Sequence, residues 1–294
     1  MMDDTEKNRI WQKITEYAEA SASELSELRR DFHRHPEPGW MEFRTSGRIA
    51  DLLHLYGCDE VLTDQQVCKA EARMGVPEGG GMTGVIGMLH CGMGPTVALR
   101  FDIDALPVRE CEELDHFPAQ EGFRSEHAGY MHACGHDGHI TVGLGTAKLL
   151  CQMREQLHGT VKFIFQPAEE GVRGARAIVE NGHLEDVDFL LGAHMYGGPE
   201  QHPCGICITA GHGLATTKLD VDFHGKASHA AAAPEQGNNA LLAAATAVLN
   251  LQAIPRHGKA DTRINVGKLV AGSGRNIICD AAHMALEVRG KTSE

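Results

Sequence analysis

Between residues 83 and 195, four runs rich in branched apolar residues alternate with helical stretches. The runs are TGVIGMLH (83–90), TVALRFDIDALP (96–107), GTVKFIFQPAEE (159–170) and VDFLLGAHM (187–195). Helical patterns over about Asp137–Met153 and Ala175–Asn181 separate the later ones. Apolar strands that alternate with helices imply an α/β fold with a mainly parallel sheet, covered by helices on both faces.

The flanks fit around this pattern. Residues 6–33 read as a helix, with Ile10, Ile14, Tyr17, Leu25, Leu28 and Phe32 at helical spacing. HPEPGW (35–40) breaks it, because two prolines and a glycine forbid continuation. A second helix is predicted over about Met41–Leu55, ended by Gly57. After Gly211 the pattern changes. ATTKLDVDFHG (215–225), TRINVGKLVAG (262–272) and AHMALEVRG (282–290) alternate at period two, and an Ala/Leu helix fills GNNALLAAATAVLNLQAI (237–254). This predicts two domains, 1–211 and a small α+β domain over 212–294. A chain of 294 residues with 42% hydrophobic content can bury a core in each.

Charge narrows the function classes. A formal charge of −13 makes a nucleic-acid binder a poor fit, since phosphate contacts need clustered Lys and Arg. No apolar run reaches transmembrane length, and MMDDTEKNRI lacks the apolar core of a signal peptide. Nine cysteines, odd in number and scattered, fit free thiols in a reducing cytoplasm. Cys204 and Cys207 have CxxC spacing, but no second such pair accompanies them.

The concentration of donor side chains in MHACGHDGH (131–139) needs its own account. Cys134 and His136 stand two apart at a helix start, where the carboxyl edge of an α/β sheet builds its sites. Glu169 and Glu170 end a second strand, and His194 ends a third. Alone, Cys134 reads as a small buried hydrophobe, His194 as a strand-end histidine and the glutamate pair as solvated charge. Together, three strand ends of one sheet would bring Cys134, His136, Glu170 and His194 to a common edge. Adjacent carboxylates also allow a division of labour, one coordinating a cation and the other moving a proton.

RDFHRHPEPGWMEFRTS, RFDIDALP, MHACGHDGH, FQPAEEGVRGAR and GAHMYGG together resemble the dinuclear metallo-amidohydrolases of the aminoacylase/carboxypeptidase class. The branch concerned includes hippurate and auxin-conjugate hydrolases. The resemblance spans essentially the whole chain. It implies hydrolysis of the amide bond of an N-acyl or N-aroyl amino acid, with p-aminobenzoyl-glutamate favoured over a hippurate-like substrate. It implies two divalent metal ions, zinc or manganese, held by Cys134, His136, Glu170 and His194. Glu169 matches the general base, and Asp104 a residue that orients the metal site. The smaller domain matches a lid that also dimerises, pairing with an identical or a related chain. His229 of that lid matches the histidine that polarises the scissile carbonyl, while Asn276 and Arg289 match residues that hold the substrate carboxylate. The resemblance implies that His139 and Asp137 are not metal ligands, and they are expected to support the loop and the helix start. Asp102 stands where related branches carry a ligating histidine.

Two departures from the family pattern carry expectations. Family members use one further histidine ligand near their C-terminus, and this sequence ends within the lid at Glu294. A metal site short of one ligand, and a sheet with an unpaired apolar edge, are expected of such a chain. The competing reading is a metal-binding or dimerisation protein with impaired catalysis. Cys279 stands where relatives usually carry proline.

Overall fold

The computed structural model describes residues 3–113, 115–195, 205–206 and 214–292. The chain divides into two compact units, Met1–Gln201 and His202–Glu294. The boundary expected at 211/212, together with Cys204 and Cys207, lies outside the described residues. Among the described residues no helix is long and apolar enough to cross a membrane.

The first unit opens with α1 (Asp4–Arg34) and α2 (Phe43–Tyr56). Asp3 caps α1 by accepting from the Glu6 N–H at 2.8 Å. Gly57, at φ +89°, closes α2 in the left-handed conformation that lacks a Cβ penalty. There follow β1 (Glu60–Thr63), β2 (Val85–His90), β3 (Thr96–Asp102), α3 (Phe117–Gln120), α4 (His136–Gln152), β4 (Thr160–Gln166), α5 (Ala175–Val179) and β5 (Phe189–Gly192). The sheet order is β1-β2-β4-β3-β5. Strands β3, β4 and β5 are parallel neighbours, whereas β2 runs against both β1 and β4.

Alternation along the strands sorts side chains to two cores. Val85, Leu89, Phe101, Phe163 and Phe165 face α1, α2 and α4, joining Leu28, Phe32, Leu53, Ile140 and Leu144. Ile86, Ala98 and Ile164 face the other way, toward Trp40, Val67 and the α5 residues Ala177 and Ile178. Helix α4 lies against the sheet because Gly143 has no side chain. A Cβ there would stand 2.7 Å from the Phe101 ring and 2.8 Å from that of Phe165.

The second unit contains β6 (Ala215–His224), α6 (Ala240–Ala253), β7 (Arg263–Ala271) and β8 (Ala281–Gly290). These strands form an antiparallel sheet in the order β6-β8-β7, with an irregularity between Val266 and Lys268. Asn239 caps α6, its Oδ1 accepting from the N–H groups of Leu241 and Leu242. The helix packs Ala240 and Ala244 on Ala282 and Cys279.

Candidate metal centre

Parallel pairing sets the site. In register, Asp102 stands beside Gln166, and Arg100 beside Gly192. The segments leaving β3, β4 and β5 therefore emerge at one edge, where α4 also begins. Gly135, at φ +85°, turns the chain into α4 and so presents Cys134 and His136 there.

The donor atoms of Cys134, His136 and Glu170 lie within 4.8 Å of one another. His194 approaches from β5, its Nε2 3.5 Å from the Cys134 sulfur. A second set, Asp102, His136, His139 and His194, shares His136 with the first and meets the same distance limit. The two sets differ in availability. His139 Nδ1 bonds to Asp102, and its Nε2 accepts from the Met195 N–H at 2.7 Å. Asp102 also accepts from Arg100 at 2.7 Å. In the first set, by contrast, His136 Nε2 and Glu170 Oε1 are buried with no hydrogen-bond partner and face each other across 4.0 Å.

The His136 tautomer is fixed from behind. In the neutral ring Nδ1 donates to the Asp104 carbonyl at 2.7 Å, which leaves the Nε2 lone pair for the site. Burial alone would depress this imidazole, but Asp104, Asp102 and Glu170 push it up to about 9. Burial and the carboxylates of Glu170, Glu169 and Asp102 push the Cys134 thiol up to about 12. Both shifts report negative charge gathered around soft and borderline donors. Two buried, unpartnered donor atoms amid that charge fit a divalent cation bound by N, O and S ligands.

The tandem glutamates sit on a strained turn. Ala168 has φ +47° and Val172 φ +57°, conformations that side chains disfavour. Buried carboxylates hold the turn. Asp104 accepts from the Glu169 N–H at 3.0 Å and the Glu170 N–H at 2.9 Å. Glu42 accepts from the Ala168 N–H at 2.7 Å and meets the Thr83 hydroxyl at 2.7 Å. Three successive backbone donors are thus captured. Glu170 turns toward His136 and Cys134, while the Glu169 carboxylate stays partly exposed, 3.9 Å from His136 Nε2. Burial, then the charges of Asp102 and Glu170, raise the Glu169 carboxyl above its ordinary range.

Sequence reasoning does not single out Glu42. It directly precedes α2 and reads there as an ordinary helix-start charge. Its one signal is the neighbouring HPEPGW break, which turns the chain inward. Asp137 accepts from His33 Nδ1 at 2.9 Å and Arg29 at 3.1 Å, tying α1 to the start of α4.

In the second unit, His229 and Asn276 are neighbours. Residues 229 and 277 form a bridge, and the Ala230 N–H donates to the Asn276 carbonyl at 3.0 Å. His229 is exposed, and its Nδ1 accepts from the N–H groups of Ala231 and Ala232. Its neutral ring therefore carries the proton on Nε2. Arg289 is not with them. It lies at the far end of β8, chelates Glu287 and lines a cavity of about 650 Å³ with Arg256 and Arg263.

An α/β sheet with thiol, imidazole and carboxylate donors at its carboxyl edge, beside a second carboxylate, fits the class of metal-dependent hydrolases. Residues 98–274 match the family model described as Peptidase family M20/M25/M40. The chain is 42% identical to one of the subunits of p-aminobenzoyl-glutamate hydrolase from Escherichia coli, over 95% of this chain and 69% of that protein. It is likewise 42% identical to indole-3-acetyl-aspartic acid hydrolase of Enterobacter agglomerans, over 96% of this chain and 70% of that protein. Among solved structures it superposes with a TM-score of 0.62 on a Bacillus subtilis protein described as a dinuclear metal binding peptidase. The two are 32% identical over 94% of this chain and 66% of that one. The chain belongs to Peptidase family M20/M25/M40, and with it to the metallo-amidohydrolases that act on amide bonds.

Proposed function

We propose that the chain hydrolyses the amide bond between an acyl group and the nitrogen of an acidic amino acid, with p-aminobenzoyl-glutamate as the first substrate to test. The names of two relatives support this class, since one is a hydrolase of p-aminobenzoyl-glutamate and the other of indole-3-acetyl-aspartic acid. The observation that supports a metal-dependent reaction most strongly is the pair of buried, unpartnered atoms His136 Nε2 and Glu170 Oε1 beside Cys134 and His194.

In this reading Cys134, His136, Glu170 and His194 hold two divalent ions of the zinc or manganese kind. Such ions supply acidification of water and polarisation of the amide carbonyl when bound. Glu169, partly exposed and raised in pKa, accepts the proton of the attacking water and returns it to the departing nitrogen. Asp104 fixes the backbone of both glutamates, so coordination and proton transfer stay on separate carboxylates. His229 offers its Nε2–H to the carbonyl oxygen. Asn276 and Arg289 hold the substrate carboxylate. Because Arg289 lies far from Asn276 along β8, the two meet one carboxylate only if they come from different copies of the chain.

The first unit is then the catalytic domain and the second a lid through which chains pair, as a homodimer or with a related chain. The Escherichia coli relative, named as one part of a larger hydrolase, supports a multi-chain assembly. A cytoplasmic location suits a reaction that depends on the Cys134 thiolate.

The test pairs metal titration with hydrolysis of p-aminobenzoyl-glutamate and indole-3-acetyl-aspartate. Wild type binds metal and turns over one of them. Glu169→Ala retains metal and loses nearly all turnover. Wild type that takes up no ion, or Glu169→Ala with near-full activity, overturns the reading.

A further inference from the structure

Far from the donor cluster, at the opposite end of α4, two cysteines meet. Cys151 occupies the last turn of α4, and Cys58 follows the Gly57 cap of α2. Their sulfurs stand 3.9 Å apart, although 93 residues separate them in sequence. Both are half-buried against the core, so a small reagent can reach them.

The surroundings hold this pair in place. Arg154, three residues beyond Cys151, reaches to both sides of Cys58. It donates to the Gly57 carbonyl at 2.6 Å and to the Asp59 carboxylate at 2.9 Å. Opposite, β2 carries Gly87, where a Cβ would stand 3.4 Å from the Cys58 sulfur. The space left by that glycine gives Cys58 room to move. A disulfide bond is about 2.05 Å long, so closure needs roughly 2 Å of approach shared between two side chains.

We propose that Cys58 and Cys151 form a dithiol site that closes to an intrachain disulfide on reaction with a small-molecule disulfide. The Cys151 thiol is the readier to ionise, through the contact with Cys58 and the charge of Arg154. Cys151 loses its proton, attacks one sulfur of the oxidant and expels the other half as a thiol. The mixed disulfide stands beside Cys58. Cys58 loses its proton in turn, attacks Cys151 and expels the second thiol. Two protein thiols are oxidised, and one disulfide is reduced to two thiols. The product joins the end of α2 to the end of α4.

This inference is independent of the proposed hydrolysis. The whole chain is equilibrated with glutathione buffers of rising disulfide content, quenched with an alkylating agent and mapped without reduction. The expected result is a cross-linked peptide pair containing Cys58 and Cys151, formed before any other, and a melting temperature several degrees above that of reduced protein. Cys58→Ser and Cys151→Ser each abolish the cross-link, and Cys91→Ser, at the neighbouring partly buried thiol, leaves it intact. Full alkylation of both residues in a buffer that oxidises other thiols overturns the proposal. So does a cross-link from either residue to Cys91. Mapping of the wild-type chain decides the matter even if a variant does not fold.

Discussion

The ends of β4 and β5 contribute to the same donor cluster but are built differently. Beyond β4, three consecutive backbone N–H groups are captured by two buried carboxylates, and the strand itself is buried almost throughout. All four residues of β5 are exposed, and His194 beyond it contacts ring neighbours and Cys134. One side of the site is fixed before any ligand arrives. Among the described residues the other is more exposed, and His194 is held by Cys134, the Met195 carbonyl and two imidazole rings. Preorganisation has been concentrated on the carboxylates, where a misplaced proton acceptor costs most.

Four experiments break or sharpen this contrast. The largest effect is expected from Asp104→Ala. It leaves two backbone donors without their carboxylate and removes the charge 3.3 Å from His136 Nδ1, though the main-chain carbonyl behind that ring stays, so metal affinity falls about 10–100-fold. Calorimetric titration with zinc or manganese reads this directly; an unchanged affinity would mean that the turn holds itself.

Next comes Glu42, whose carboxyl is pushed up to about 8 by burial and by the nearby Asp104 charge. A raised folded pKa means the folded state holds a proton that the unfolded chain has lost between about 4.5 and 8. Stability therefore falls by up to ~1.4 kcal/mol per pH unit as pH rises through that window, and levels off above it. Glu42→Gln keeps an acceptor for the Ala168 N–H, offers its amide to the Thr83 hydroxyl and removes the titrating proton, and should flatten the slope in denaturant melts from pH 5 to 9. Glu42→Ala should destabilise at every pH, by about 1–3 kcal/mol for each stranded buried group.

On the β5 side, His139→Ala removes the link from Asp102 to the Met195 N–H and lets His194 drift. About tenfold weaker metal binding is expected, with little change in melting temperature. The smallest effect is expected from Leu190→Thr on exposed β5, within about 0.5 kcal/mol. A loss of several kcal/mol there would show that something packs on this strand and would undo the comparison.

The buried half of this contrast is partly legible in the sequence. Runs such as VKFIFQ and VALRFD mark strands that are apolar on both faces, and the residues at their ends already point to Asp104, Glu169 and Glu170. Strand β1 escapes such reasoning because Glu60–Thr63 is short and carries only two aliphatic side chains. Glu42 escapes it for a different reason. A buried acid looks like a surface acid until the tertiary fold encloses it, and its partners, Thr83 and Ala168, lie 41 and 126 residues away. The position of Arg289, remote from Asn276, is likewise hidden, because a spacing of thirteen residues does not say whether a strand folds back or runs straight.

The shared direction of β3, β4 and β5 leaves the opposite rim of the sheet without donors of the cluster. There the turn before Thr96 carries Met93, which is 96% exposed. The seven residues of β3 put about 23 Å between that turn and the cluster. Position 93 is thus a natural mooring for a fluorophore or a surface tether, close enough to sense the domain and distant enough to leave its chemistry undisturbed.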